Sequence, residues 1–469
     1  MSRAIKQKVE PVVRKPETRI RDFDEVVLGY NLENALREAT RCLKCPLNFA
    51  PCIKGCPVGV KGSAFIAALA SGNVEKALRV IWEDNFFPSI TGRVCPQERL
   101  CESQCVMGRL GDPVSIGLLE RFVGDYSRET GVEKELLEEL VSNIRYNGKS
   151  VAIVGSGPAG LMASYKLSVL GYKVTLFEAL HEPGGVLVYG IPEFRLPKSI
   201  VKHEVEKVLA LGVELKLNHI IGKTLTLEEL RKEYDAVFLA TGAGTPKLLD
   251  IPGIDLHGVY TANEFLTRVN LMRSYRFPEY DTPIEVGSRT VVIGGGNTAM
   301  DAARVALRLG SKVIVAYRRG LEDMLKTARK HEVIHAKEEG VEFAYYLRPV
   351  EILGDSNGRV RAVKFEVMEP TGEVDESGKT RIRGKGVFVE IPADTVIIAI
   401  GLEPNKILEE TTGLRTHEDG RFIVDDHLMT SIEEVFAGGD AVRGEATVIE
   451  ALADGRKAAE EIHRYLSSL

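Results

Sequence analysis

Two stretches of the chain share one pattern: a short β-branched run, a glycine turn, and then about ten residues with an apolar face at helical spacing. The first runs through Val151-Ala152-Ile153-Val154, the helix Leu161 to Leu170 and the strand Val174 to Glu178. The second runs through Thr290-Val291-Val292-Ile293, the helix Met300 to Leu309 and the strand Lys312 to Ala316. Apolar runs of four or five residues ending at glycine read as strands buried on both faces of a parallel sheet. A third run, Thr395 to Ile400, leads to a last unit, Val435-Phe436-Ala437-Gly438-Gly439-Asp440, which has no complete glycine fingerprint of its own. It is expected to return to the first sheet. Residues before about 147 lack this rhythm; their pattern is helical over Asn31 to Leu43, Gly62 to Asn85 and Glu133 to Ile144.

The predicted fold is therefore α/β: a helical N-terminal lobe followed by two Rossmann-like nucleotide-binding domains, the second inserted in the first. The expected divisions are 1–146 for the lobe, 147–286 for the first part of one nucleotide domain, 287–400 for the inserted domain and 401–469 for the returning part. A length of 469 residues suits this division, and 44% hydrophobic with 27% charged residues excludes a disordered or fibrous chain. A net charge of −6 offers no field for nucleic acid. No apolar run approaches the roughly 20 residues of a membrane span, and the charged N-terminal residues Met1 to Lys8 carry no signal-peptide core. A cytoplasmic protein without membrane contact is expected.

Cysteine placement brings in the chemistry. All seven cysteines fall between residues 42 and 105, as Cys42-x2-Cys45-x6-Cys52-x3-Cys56-Pro57 and Cys95-x5-Cys101-x3-Cys105. Paired C-x2-C knuckles would indicate structural zinc, whereas a three-cysteine run followed by x3-Cys-Pro is the ferredoxin arrangement, in which the last cysteine serves the other cluster. Two [4Fe-4S] clusters need eight ligands against seven thiolates, so one donor is of another type. Glu98, Glu102 and Glu120 are the nearby carboxylates.

The two glycine turns lead into different strand ends. Gly155-Ser156-Gly157-Pro158-Ala159-Gly160, closed by Glu178, is a complete dinucleotide fingerprint: glycines admit the pyrophosphate and the acid accepts from a ribose hydroxyl. In the second copy, Gly294-Gly295-Gly296-Asn297-Thr298-Ala299, the acid is replaced by Tyr317-Arg318-Arg319. Paired guanidinium groups suit the 2′-phosphate of NADP(H). His331-Glu332-Val333-Ile334-His335 matches a zinc-protease pattern, but it stands on the helix after that strand with no recognisable third ligand, and is read as coincidence.

The order of these motifs resembles the glutamate synthase small subunit family over nearly the whole chain. The resemblance is carried by Cys52-Ile53-Lys54-Gly55-Cys56-Pro57, Thr91-Gly92-Arg93-Val94-Cys95-Pro96 and Val114-Ser115-Ile116-Gly117-Leu118-Leu119-Glu120-Arg121. It continues in Gly184-Gly185, Gly190-Ile191-Pro192-Glu193-Phe194-Arg195-Leu196-Pro197-Lys198, Gly294 to Asp301 and Ala437-Gly438-Gly439-Asp440. The large subunit of NADH-dependent reduced ferredoxin:NADP oxidoreductase and the N-terminal half of dihydropyrimidine dehydrogenase share this organisation. The resemblance implies one cluster on Cys42, Cys45, Cys52 and Cys105, and a second on Cys56, Cys95, Cys101 and Glu120. It implies FAD at Gly155, Gly157, Pro158, Ala159, Gly160 and Glu178, with Gly185, Arg195, Thr241, Gly242, Asp440 and Thr447 completing the site. NADP(H) then takes Gly294, Gly296, Asn297, Thr298, Arg318 and Arg319.

The expected function is an iron–sulfur flavoprotein oxidoreductase that passes hydride between NADP(H) and FAD and single electrons through two [4Fe-4S] clusters. No separate catalytic side chain is expected beyond the cofactors. The six residues between Cys45 and Cys52 exceed the spacing of bacterial glutamate synthase small subunits and resemble the ferredoxin-linked branch. The leading expectation is accordingly the large subunit of an NADPH:ferredoxin oxidoreductase, with electron bifurcation in its range. The alternative is the electron-input subunit of NADPH-dependent glutamate synthase, and a remote one is a zinc-braced NADP-binding scaffold without redox chemistry. The expected partner is a second flavin or iron–sulfur subunit, or the glutamate synthase large subunit; ferredoxin is the expected carrier. No isolated C-x2-C stands beside a flavin fingerprint, which disfavours a disulfide reductase.

Overall fold

A computed structural model describes residues 6–469. Its N-terminal part is a bundle of short helices, among them Leu32–Ala39, Gly62–Ala70, Val74–Trp82, Pro88–Val94, Ile116–Thr130 and Val132–Asn143. The helix expected over Gly62 to Asn85 is two helices. Gly72 takes a φ of +79°, where L side chains are strained, and Asn73 restarts the chain by accepting the Lys76 N–H with its side chain. Gly92 lets Pro88–Val94 cross Ile116–Thr130 closely, since a Cβ there would stand 2.6 Å from the Arg121 backbone nitrogen. That crossing brings the Cys95 end of one helix beside Glu120 on the other.

The first nucleotide sheet is parallel, in the order Val435–Ala437, Ala236–Leu239, Ser150–Val154, Lys173–Phe177, Glu214–Lys216. Its edge strand comes from the C-terminal segment, so the second domain is inserted in the first. The long helix Val448–Ser467 then packs on Pro158–Val169, where Gly455 leaves room for the Ala159 carbonyl. The second sheet is also parallel: Glu342–Tyr345, Lys312–Tyr317, Arg289–Ile293, Thr395–Ile398, Val259–Thr261. Val259–Thr261 precedes the boundary expected at 287, so the inserted unit starts earlier than the glycine turn alone indicates. The two crossings between domains pair with each other, Thr245–Pro246 against Leu402–Glu403.

An antiparallel sheet, Leu347–Gly354, Val360–Val374 and Thr380–Pro392, extends from the second domain. No helix among the described residues is long and apolar enough to cross a membrane.

Candidate functional site

A cavity of about 590 Å³ lies where the domains meet. From the first fingerprint it is lined by Gly155, Gly157, Pro158, Ala159 and Glu178, and beyond it by Gly185, Arg195, Thr241, Gly242, Asp440 and Thr447. Asn297 and Thr298 of the second fingerprint line the same cavity, as do Val94 and Pro96, the two neighbours of Cys95. Gly160, Gly294, Gly296, Arg318 and Arg319 lie outside this lining.

The backbone of the first turn is shaped for close approach. A Cβ on Gly155 would meet the Ala240 carbonyl oxygen at 2.4 Å, whereas one on Gly157 would meet nothing within 4 Å and would fill the cradle itself. Glu178 is buried and accepts from the Ser156 N–H and hydroxyl on one oxygen and from the Leu180 N–H on the other, which fixes its carboxylate at the cavity wall. Asp440 Oδ1 is buried without a partner, and burial pushes the carboxyl up to about 7. An orphaned acceptor beside an open glycine cradle fits a polar ligand with donors of its own. Thr447 caps the helix Val448–Ser467 through a reciprocal pair with Glu450, and this helix presents its positive end to the cavity.

Three positions behave differently from expectation. Arg195 reaches the cavity wall, but its guanidinium pairs with Asp301 of the second domain at 2.5 Å and stands 3.3 Å from Glu332, so it joins the domains. Arg319 is engaged by Asp375, while Arg318 is exposed. Glu445 had no sequence signal; it spans the cavity's edge, with the Thr298 hydroxyl at 3.5 Å and the Leu402 N–H at 3.3 Å.

The cysteines separate into two groups. Cys42, Cys45, Cys52 and Cys105 line one small cavity with Ser63, Met107 and Ile116. Cys56, Cys95 and Cys101 lie in mutual electrostatic reach, and Glu120 bears on all three, whereas Glu102 bears on Cys101 and Glu98 on Cys95. Burial pushes the Cys42 and Cys56 thiols up to about 11 and raises Cys95 and Cys101 well above the ordinary range. Thiolates placed here would need a cationic counterpart, which iron would supply. Among the described residues no three histidine, cysteine or carboxylate side chains converge as tightly as one metal ion requires; a cluster interposes its own sulfides and spaces its ligands more widely.

Glu120 is buried and held on one carboxylate oxygen. It is 7% exposed, burial pushes it up to about 7, and Asn85 Nδ2 donates to Oε1 at 2.6 Å with Thr91 Oγ1 at 3.1 Å. Both contacts fall on Oε1 and neither uses Oε2. Asn85 lies 35 residues from Glu120 and carries no motif that would reveal this role. In the His331 to His335 stretch, Glu332 is taken up by Arg304 and Arg195. Burial, partly offset by Glu332, draws His335 down to about 4.

Comparison with known proteins accounts for both halves. The pattern of the pyridine nucleotide-disulphide oxidoreductase family matches residues 149–455, and that of dihydropyrimidine dehydrogenase domain II, 4Fe-4S cluster, matches residues 19–132. The small chain of NADPH glutamate synthase from Halomonas elongata is 37% identical over 97% of this chain and 96% of its own length. That of Escherichia coli is 36% identical over 98% and 97%. The chain belongs to the glutamate synthase small subunit family. A further relative is the PreT subunit of NAD-dependent dihydropyrimidine dehydrogenase of Escherichia coli, 33% identical over 95% of this chain and 97% of its own. Among solved structures, Mycobacterium tuberculosis FprA in complex with NADPH superposes with a TM-score of 0.56 at 22% identity, over 69% of this chain and 85% of that one. Lactococcus lactis thioredoxin reductase gives 0.52 at 25%, over 68% and 100%. As a member of the glutamate synthase small subunit family, the protein is an NAD(P)H-dependent iron–sulfur flavoprotein oxidoreductase with a 4Fe-4S domain.

Proposed function

We propose that the chain is the electron-input subunit of a larger enzyme. In this reading NADP(H) is held by the second fingerprint, FAD by the first, and two [4Fe-4S] clusters by the two cysteine groups. The observation that carries it is the shared cavity: both fingerprints and the residues flanking Cys95 open into one space. A flavin held there would supply the hydride-accepting chemistry, and clusters on the cysteine groups would supply single-electron transfer. The chain's part is to hold and orient. Glycine backbone and the Val448–Ser467 helix end would receive the flavin nucleotide, Glu178 stands ready for a ribose hydroxyl, and Asn85 and Thr91 aim Glu120 at the group of Cys56, Cys95 and Cys101.

The partner we favour is the large subunit of a glutamate synthase. Small chains of that enzyme match this protein end to end, and this outweighs the ferredoxin reading to which the Cys45 to Cys52 spacing first pointed. That spacing keeps the NADPH:ferredoxin oxidoreductase as the second reading. Purification from native cells with the partner attached decides between them. Glutamate formed from glutamine and 2-oxoglutarate supports the first; a second flavin subunit that couples ferredoxin to NADPH replaces it. Site occupancy has its own test. The isolated chain is expected to hold one FAD and close to eight irons, and Glu120→Ala is expected to change the magnetic resonance signal of one cluster alone. Zinc without acid-labile sulfide would overturn the cluster reading.

A further inference from the structure

The antiparallel extension reaches back to the second fingerprint. Its two long strands, Val360–Val374 and Thr380–Pro392, are joined by a turn in which Asp375 Oδ1 accepts from the Ser377 N–H at 3.0 Å, the Ser377 hydroxyl at 2.6 Å and the Lys379 N–H at 3.0 Å. Asp375 Oδ2 is thereby left facing outward, and Arg319 Nη2 donates to it at 2.9 Å. Arg319 Nε donates to the Thr380 carbonyl at 2.8 Å. The turn is latched from a second side by the helix Leu321–Thr327, through Lys326 Nζ to the Gly378 carbonyl at 2.6 Å and the Thr380 N–H to Asp323 Oδ1 at 3.1 Å. Arg319 is 11% exposed and its partner 31%, so the pair is largely closed off on the arginine's side. Arg318, one residue earlier, is exposed.

The two arginines at the end of the fingerprint strand are therefore not equivalent. A 2′-phosphate arriving there meets Arg318 free and Arg319 already neutralised by a carboxylate. We propose that Asp375 is a specificity-setting residue: it competes with the 2′-phosphate for Arg319 and holds down the preference for NADP(H) over NAD(H). The inference rests on the assignment of the coenzyme to the second fingerprint. NAD(H) brings no phosphate to that end and gains nothing from a released Arg319, so the effect of Asp375 falls on one coenzyme only.

Asp375→Asn removes the charge while its side-chain oxygen can still accept in the turn. Calorimetric titration of the holoenzyme with NADP+ and with NAD+ reads both affinities without turnover. Asp375→Asn is expected to tighten NADP+ binding by roughly tenfold, the weight of one partly exposed charge-assisted contact, and to leave NAD+ unchanged. In the double variant Asp375→Asn, Arg319→Gln, that gain is expected to vanish. No change in NADP+ affinity on Asp375→Asn, or equal losses for both coenzymes, overturns the competition and leaves the turn a structural clasp. A distinct result bears on the underlying assignment: if Arg318→Gln and Arg319→Gln both bind NADP+ as tightly as the parent, the second fingerprint is not the 2′-phosphate site, and the competition falls with it.

Discussion

The cysteine lobe is joined to the two nucleotide domains in opposite ways. Toward the flavin-side domain it shares one continuous core: Phe65, Trp82 and Phe86 of the lobe pack in the same cluster as Leu161 and Tyr165. The Phe86 and Tyr165 rings stack at 4.0 Å, and the ion pairs that flank this core are few: Lys207 with Glu204 and the lobe's Glu133, and Arg456 with the lobe's Asp84. Toward the coenzyme-side domain the seam is ionic. Arg19 bonds Glu339 at 2.7 Å, and the same carboxylate takes Arg304 and Arg308, all with almost no exposure. Arg329 reaches from the second domain to the Arg93 carbonyl and to Gln97, two residues beyond Cys95.

The difference separates two kinds of constraint. Hydrocarbon and ring packing is non-directional and gives most of its free energy to cohesion. A buried ion cluster offers little net stability over an apolar replacement, but a displaced partner leaves a bare charge, so one relative placement is strongly preferred. The flavin side is welded and the coenzyme side is keyed.

The sharpest way to break the contrast is Glu339→Ala. Against burial, which would raise it, Arg304 and Arg308 hold the Glu339 carboxyl down to about 2. Its loss leaves Arg308 without a carboxylate and takes one of two from Arg19 and from Arg304, which keep Glu338 and Glu332, and is expected to cost about 3–5 kcal/mol. Phe86→Ala on the other seam empties a fully buried ring site and is expected to cost a similar or smaller amount, roughly 3–4 kcal/mol. The consequences differ by side. Glu339→Ala should impair NADP+ binding while flavin stays bound, and Phe86→Ala should loosen flavin and the cluster of Cys56, Cys95 and Cys101 while NADP+ still binds. Flavin absorbance and coenzyme titration on both variants read this directly, and identical losses in both would contradict the distinction.

Legibility in the sequence divides along the same line. Local signals were complete for the first fingerprint, since strand, turn, helix and acid all lie within Val151 to Glu178, and the structure forms them there. Cysteine spacing pointed to iron–sulfur chemistry, while the division into two groups came from the family resemblance, and the structure gathers Cys42, Cys45, Cys52 and Cys105 around one small cavity. Partners chosen across the fold were not. Nothing near Arg195 indicates Asp301 106 residues away, and nothing near Arg319 indicates Asp375. The antiparallel extension did carry a signal, in the turn residues Asn357-Gly358 and Ser377-Gly378 between alternating runs. Long strands with mostly exposed outer faces weaken the hydrophobic pattern that makes buried strands visible.

A smaller effect comes from pH acting on the keyed seam alone. His335 is 8% exposed and stands among Glu332, Arg304, Arg19 and Glu339; burial, with the two arginines, brings it from 6.5 to about 4. A base depressed in the folded state is protonated more readily when unfolded, so stability is present above pH 6.5 and is lost as pH falls from 6.5 toward 4. A displacement of that size corresponds to on the order of 3 kcal/mol at the lower end. Unfolding of the parent should therefore show a slope in this window that His335→Gln flattens. An equal slope in both proteins would assign the acid sensitivity to carboxylates elsewhere.

The smallest expected effect tests how much a single neutral hydrogen bond adds to the welded seam. Tyr165 donates its hydroxyl to the Trp82 carbonyl at 3.0 Å, the bond that joins the stacked rings to the end of the lobe's helix. Tyr165→Phe keeps the stacking with Phe86 and removes only this bond. The Trp82 carbonyl lies in the last turn of its helix, where such oxygens lack intrahelical partners. The loss should be about 1 kcal/mol, the net weight of one neutral hydrogen bond, with no change in flavin content, cluster signal or coenzyme affinity. It should also show no pH dependence between about 4 and 7, because nothing that titrates there is removed. A loss as large as that of Phe86→Ala would mean that this hydroxyl, rather than ring packing, holds the lobe to the flavin domain, and the seam would have to be described as keyed on both sides.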